Sequence, residues 1–397
     1  MAPTTVNKKV SITCMPASLS ILRTFLAFPS KNTELEPGIV FYLKFLGVSL
    51  LGSLPMLSSI MHLINTVQNG KFHHIDLDLT YAVSFSTAYA LIWAFIIKIK
   101  SAAKMYTFIS DFEVFGKPTD FDRCNKAFNR YAKIHFVYLE LLIWTIILTS
   151  NIFKTQKCKL ENQLYNMNEV CGLFSYTWMP FDIDYSPIRE LYLLFEIFGA
   201  HHIYMLAGLM AWQVFETMQH IIIRIRHVKH VMVEAFTYRD STVRRRKFNI
   251  AVRYHNSIFG LFSYCYRLEE KLNDAFSIFM FTHMVLTAAV LGIGIYSWLR
   301  VKSLSTFMVC TGWFVGLFMD CFSGQRLQDE SLELAVAVYN LPWYDCEEPL
   351  KKDIMVVLQK CQSSLKLRAG AFGVMDRAMF LGVIKLTYSY ITLLKQT

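Results

Sequence analysis

The chain has 397 residues, of which 54% are hydrophobic, 15% aromatic and only 18% charged. Together with its long uncharged runs, this composition excludes an ordinary soluble globule and points to a membrane protein. The formal net charge of +10 does not mark a nucleic-acid binder, because the basic residues lie in connectors between apolar runs, a pattern of membrane topology and lipid-headgroup attraction.

In chain order, residues 1–38 form a polar, partly amphipathic cytoplasmic tail. No compact apolar core with a small-residue cleavage site follows Met1 to Lys9, so the first span is expected to target the chain. Within the tail, Ser18 to Phe28 is expected to lie flat in the interface with Arg23 outward. Membrane spans are predicted over about 39–64, 80–97, 134–153, 191–214, 275–299 and 304–322, each long enough to cross a bilayer. Pro55 is expected to kink the first. The connector 215–271 carries apolar residues at helical spacing from His220 to Phe236, which extends the fourth helix into the cytoplasm. Arg244, Arg245, Arg246 and Lys247 then mark a solvated turn before a returning helix. Residues 323–375 read as cytoplasmic anchor helices, with apolar stripes at Leu332 to Ala337 and Ile354 to Leu365 on either side of LPWYDCEEP (Leu341 to Pro349).

The last stretch, Ala378 to Thr397, is apolar enough to span, yet it contains Lys385, Thr387, Tyr388, Ser389, Tyr390 and Thr392. A helix surrounded by lipid would not keep so many polar atoms. Thr387 or Tyr388, Ile391 and Lys395 fall on one stripe by helical spacing, as a pore-lining segment needs. A buried helix bonding to its neighbours through hydroxyls is the competing reading.

Counting Lys and Arg by side gives about 29 in the tail and in the connectors after spans two, four and six, against about 8 elsewhere outside the spans. This asymmetry puts the N-terminus in the cytoplasm. Seven spans then leave the C-terminus outside, so the expected fold is an all-α membrane protein with seven transmembrane helices and a cytoplasmic helical anchor region. It has the reverse orientation of a G-protein-coupled receptor. In the outer connector, Cys158 and Cys171 are the only two cysteines assigned outside. The compartment permits a disulfide between them without demanding it, and leaves a free pair nearly as open.

The nine cysteines include no CxxC pair, and the adjacent pairs His73–His74 and His201–His202 lack the spacing that lets two histidines share a metal. There is no phosphate-cradling glycine loop and no catalytic constellation, so neither an enzyme nor a cofactor is expected. Three ionisable residues inside spans require partners: Glu140, Glu196 and Lys385. Glu140 is expected to snorkel to the inner interface or pair with a basic residue. Glu196 shares the outer half of its span with Tyr192 and Phe195, the pattern of an aromatic pocket for a small apolar ligand. Tyr81, Ser84 and Phe85 in the second span, Trp144 and Leu148 in the third, and Phe307 and Thr311 in the sixth lie in the same layer and complete the candidate pocket. Any one of these is more often core than ligand contact.

The C-terminal third reads MDCFSGQRLQDESLELAVAVYNLPWYD (Met319 to Asp345) and, after a helix, RAGAFGVMDRAMFLGVIKLTYSYITLL (Arg368 to Leu394). The Gly-Gln, Glu-Ser, Trp-Tyr, Ala-Gly and Ser-Tyr series resembles the insect odorant receptor family, most strongly over about 307–394. The resemblance implies an odorant-gated, non-selective cation channel in the plasma membrane of a sensory dendrite. It further implies a heterotetramer with the shared co-receptor subunit, a small volatile organic ligand, cytoplasmic anchor helices, and a last helix (376–397) lining the pore behind a six-helix bundle (39–322). Carried over by motif, the hydrophobic gate falls on Ile391, with Lys395 one turn outward and Tyr388 one turn inward. The ending TYSYITLLKQT departs from the co-receptor's, which resembles TYFMVLVQLK, and the co-receptor's long second cytoplasmic insertion is missing. Lys395 near the outer mouth would oppose cations if present in four copies. The implied role is therefore a ligand-tuning subunit. The alternatives are a gustatory receptor of the same superfamily, whose ending resembles TYhhhhhQF with h apolar, and a non-conducting inverted seven-helix receptor.

Overall fold

The computed structural model describes residues 12–70, 75–165, 169–259 and 268–396. His73 and His74 lie outside the described residues, as do the side chains of 151–154, 157, 165 and 394–396. Eleven α-helices account for nearly all regular structure among them: α1 (Pro16–Thr24), α2 (Ile39–Gln68), α3 (Ile75–Ile97), α4 (Ile99–Ser110), α5 (Phe121–Tyr165), α6 (Ile188–Ala235), α7 (Ser241–Phe259), α8 (Leu268–Val301), α9 (Leu304–Tyr339), α10 (Glu348–Cys361) and α11 (Arg377–Gln396).

The sequence signals that bound these helices are local. Pro16 at the first turn of α1 and Pro349 at that of α10 supply a preset φ where no amide donor is needed. The Asp240 carboxylate accepts the Thr242 amide at 2.9 Å to start α7, and Asp376 accepts the Met379 amide at 2.8 Å to start α11. Gly70, at φ 66°, closes α2.

Six helices, α2, α3, α5, α6, α8 and α9, are long and apolar enough to cross a membrane. Their outward faces are apolar as well. Leu43, Leu50, Leu54, Leu57 and Ile64 on α2, and Phe307, Phe314 and Phe318 on α9, are exposed. A belt of this extent suits hydrocarbon and not water. The 20-residue α11 is not in the apolar set and packs along α8 and α9.

The end of the bundle that carries the α5–α6 connection is called the loop end, and the opposite one the anchor end. At 48 residues α6 extends roughly 70 Å, well beyond a hydrocarbon core of about 30 Å. Its surplus length projects at the anchor end, where it packs with α7 and α9. The helical continuation through His220 to Phe236 is therefore present. The basic residues differ from expectation: the turn is 236–240, and Arg244 to Lys247 already belong to α7. The Asp240 cap explains the shift, since it starts the helix ahead of them.

α1 also differs from an interfacial helix. Ser18, Leu19 and Leu22 are buried against α5 and α6, and Arg23 pairs with Glu34. Enclosure by protein supplies the apolar surroundings that lipid would have given. Pro55 lies inside a continuous α2 and sits where any side chain at Gly199 of α6 would be, which lets the two helices approach closely.

Candidate functional site

Midway through the bundle, residues of α3, α5, α6, α8 and α9 line a cavity of about 70 Å³. Leu91, Leu139, Leu142, Ile143 and Ile146 form one wall, and Ala207, Gly208, Ala211, Gly312 and Gly316 leave room opposite. The leucines of α5 reach into glycine notches: a Cβ at Gly208 would lie 2.8 Å from Leu139 Cδ1, and one at Gly312 would lie 2.9 Å from Leu142 Cδ2. The free space is smaller than the roughly 150 Å³ apolar cavity that accepts benzene.

Three polar side chains border this space, and two are committed elsewhere. The Tyr204 hydroxyl and the Trp313 indole N–H both donate to Ser84 Oγ, at 2.9 and 3.0 Å. Phe85 stacks on Tyr204 with ring centroids 5.4 Å apart. The third, His283, is held through Nδ1 by Asp320 Oδ2 at 3.1 Å.

Above the cavity, the segment after Cys171 folds into the bundle as a plug. Phe174 is fully buried edge-on to Tyr81 and Phe85, at centroid distances of 5.4 and 5.9 Å. The Glu196 carboxylate holds this plug by accepting the amides of Phe174 and Ser175, each at 2.8 Å, and the Ser175 hydroxyl at 2.5 Å. The Ser59 hydroxyl donates to Ser175 Oγ at 3.1 Å, and the Trp178 amide donates to the Ser58 carbonyl. His62 bridges Asp78 (3.0 Å) and Glu169 (2.9 Å) beside it. Cys158 and Cys171 form a disulfide, with Cα atoms 5.7 Å apart, that ties the end of α5 to the start of the plug.

The residues singled out from the sequence thus separate into groups. Tyr81, Ser84 and Phe85 stand directly behind the cavity wall, with Tyr81 O–H donating to Ser305 Oγ at 3.0 Å. Tyr192 and Glu196 lie under the plug. Trp144, Leu148, Phe195 and Phe307, each 43–54% exposed, point out of the bundle. The Thr311 hydroxyl donates to the Phe307 carbonyl on its own helix. Glu140 meets His201 Nε2 at 2.9 Å, so of its two expected fates it takes the basic partner. On α11, Thr387 is buried, Ile391 half-buried and Tyr388 69% exposed. Sequence reasoning missed the cavity glycines, Trp313 and the His283–Asp320 pair. A signal for the pair was present, since the two lie at nearly equal chain distances from the tight α8–α9 turn at Lys302 and Ser303.

A helical membrane bundle with a largely apolar cavity and a loop plug above it is the class of protein that this geometry defines. The family model described as 7tm Odorant receptor matches residues 80–388. The chain belongs to that family. It is 26% identical over 135 residues to the odorant receptor coreceptor of Ooceraea biroi, a match covering 33% of this chain and 28% of that protein. To odorant receptor 85b of Drosophila melanogaster it is 24% identical over 148 residues, 36% of each chain. The matched stretch thus spans only about a third of these curated relatives. The olfactory receptor OR5 of Machilis hrabei, solved in complex with eugenol, has the same fold, with a TM-score of 0.74, 15% identity, and coverage of 95% of this chain and 97% of that one.

Proposed function

We propose that this protein is a ligand-tuning odorant receptor subunit of a ligand-gated, non-selective cation channel that works with the co-receptor. In this reading the chain crosses the plasma membrane seven times, with its N-terminus inside. Residues 1–38 form the tail, 39–322 the ligand-binding bundle with its 215–271 extension, 323–375 the anchor, and 376–397 the pore helix. A small volatile organic molecule occupies the α3–α5–α6–α8–α9 cavity, and cations pass along the polar side of α11.

One observation carries the reading: two of the helices that wall the cavity, α8 and α9, are those on which α11 rests. Trp313 faces the cavity, while its neighbour Phe314 packs edge-on to Phe380 of α11 at 5.4 Å, and Phe318 does so at 5.5 Å. On α8, Gly292 lies under Tyr390. Expansion of the cavity therefore bears on α11 through adjacent residues of one helix. A ligand shifts such an equilibrium only by its difference in affinity for the two states, and a few kcal/mol from a ten-atom volatile suffices when the states are closely spaced.

The test is whole-cell recording from cells expressing this chain with an insect co-receptor under a panel of volatiles. Gly312→Leu fills the cavity and should abolish evoked current while surface expression persists. Undiminished responses from that variant would place the ligand elsewhere.

A further inference from the structure

His283 of α8 and Asp320 of α9 face each other at 3.1 Å between Nδ1 and Oδ2, and both are at most 1% exposed. Asp320 Oδ1 has no hydrogen-bond partner, and no third charged group bears on this carboxylate among the described residues. A lone carboxylate in such surroundings is too costly to keep, so the pair as a whole carries no net charge. Two arrangements satisfy that condition without placing the acid hydrogen on Oδ1, where it would have no acceptor. In one, an imidazolium faces a carboxylate and both ring nitrogens carry hydrogens. In the other, Asp320 is the carboxylic acid and donates to Nδ1, which leaves the imidazole hydrogen on Nε2. Both put a hydrogen on Nε2.

That nitrogen is on the cavity edge of the ring. It lies 3.5 Å from where a Cβ of Gly316 would be, and the residues around it line the space. No protein acceptor for Nε2 occurs among the described residues. Because the Tyr204 and Trp313 hydrogens are directed to Ser84, Nε2–H is the donor that an occupant meets in an otherwise apolar wall.

We infer that the cavity selects small apolar molecules bearing a hydrogen-bond-accepting oxygen, with ketones, aldehydes and esters as the favoured class, and that His283 Nε2 is the specificity-determining donor. This rests on the proposed ligand site. Asp320 acts as a positioning residue that fixes where the ring's hydrogens lie. A buried donor without an acceptor penalises a hydrocarbon of the same shape, so discrimination comes from the rejected ligand as much as from the accepted one.

The experiment compares methyl alkyl ketones, methyl propyl to methyl heptyl, with the isosteres in which a methylene group replaces the carbonyl oxygen. Half-maximal activation is read from current with the co-receptor, and binding from ligand-induced thermal stabilisation of the purified full-length chain. The wild type should respond to ketones at concentrations at least about fivefold lower than to the isosteres. Joint replacement by His283→Phe and Asp320→Leu keeps the packing without a buried charge. It should erase that ratio, bringing the half-maximal concentrations for ketones and isosteres together. His283→Gln, which restores an N–H, should retain the preference. A ratio near one in the wild type, or one unchanged in the double variant, overturns the assignment. Ketone-selective binding without current upholds the donor role and sinks the conducting function instead. If neither probe class binds, the cavity reading and this inference both fall.

Discussion

Glu196 illustrates how a residue's role follows from its partners. It sits in an apolar run at 1% exposure, which by itself demands compensation. The donors come from the backbone of Phe174 and Ser175, more than twenty residues upstream, in a stretch with no regular secondary structure. The need was legible in the sequence, whereas the donors that meet it, in a loop segment distant along the chain, were not. Glu196→Ala should leave three buried donors without an acceptor and destabilise the protein by about 2–3 kcal/mol. Thermal unfolding in detergent would register the loss, together with faster proteolysis between Cys171 and Ile183. A wild-type melting profile would show that other contacts hold the plug. The four aromatic and aliphatic residues that turned outward, Trp144, Leu148, Phe195 and Phe307, teach the complementary lesson: lipid and protein interior are both apolar, so hydrophobic periodicity does not tell a core face from an outward one.

At the scale of elements, the anchor end holds α7 to α10 through a buried clasp, in which Cys361 Sγ lies 3.1 Å from His255 Nε2 and His255 stacks on Phe259 at 4.5 Å. Burial lowers the His255 imidazole to about 4 and raises the Cys361 thiol to about 12, so thiol and ring meet uncharged. Between the ordinary imidazole value of about 6.5 and the folded value of about 4, the unfolded chain binds a proton here that the folded chain does not. Stability is therefore full above this window and declines as pH falls through it, by up to about 3 kcal/mol. Melting temperatures measured across that range should fall toward acid, and His255→Phe should flatten the contribution. An unchanged slope would mean that the ring is protonated in the fold.

The α9–α11 junction is a second element-scale device. A Cβ at Gly324 would overlap the carbonyl oxygen of Met375, and Gln325 Oε1 accepts the Arg377 amide at 3.5 Å. The Gly-Gln step that carried the family resemblance thus has a steric cause: the chain leading into α11 passes too close to α9 for any side chain. Gly324→Ala should cost about 1–3 kcal/mol through overpacking and reduce surface delivery, whereas the same change at the open Gly47 should be neutral. Surface biotinylation would compare the two.

For the whole molecule, α11 buries Val383 and Thr387 and leaves Lys385, Tyr388 and Ser389 uncovered by this chain. In the proposed assembly that uncovered side faces sister helices and the permeation path, with Ile391 as the gate. Removing its bulk in Ile391→Ala should produce standing current without ligand when co-expressed with the co-receptor. Single-channel recordings that stay silent without ligand would remove Ile391 from the gate. The Lys395 side chain lies outside the described residues, so its place at the mouth is tested by the rectification of Lys395→Gln channels.

Composition and run length alone determined that this is a multi-helix membrane protein, because a bilayer imposes a length and an apolarity that any spanning helix must show. Motif spacing in the last third led to the family for a related reason: close backbone approach at Gly324 and the Asp376 cap leave little freedom locally. What only the tertiary structure decided was which apolar faces meet one another, and therefore where the cavity lies. That cavity is bounded by residues of five helices from Leu91 to Gly316, its glycine notches are defined by leucines on another helix, and the ring of His283 on α8 that borders it is held by Asp320 of α9. Contacts of this kind are properties of pairs, and a sequence lists its residues singly.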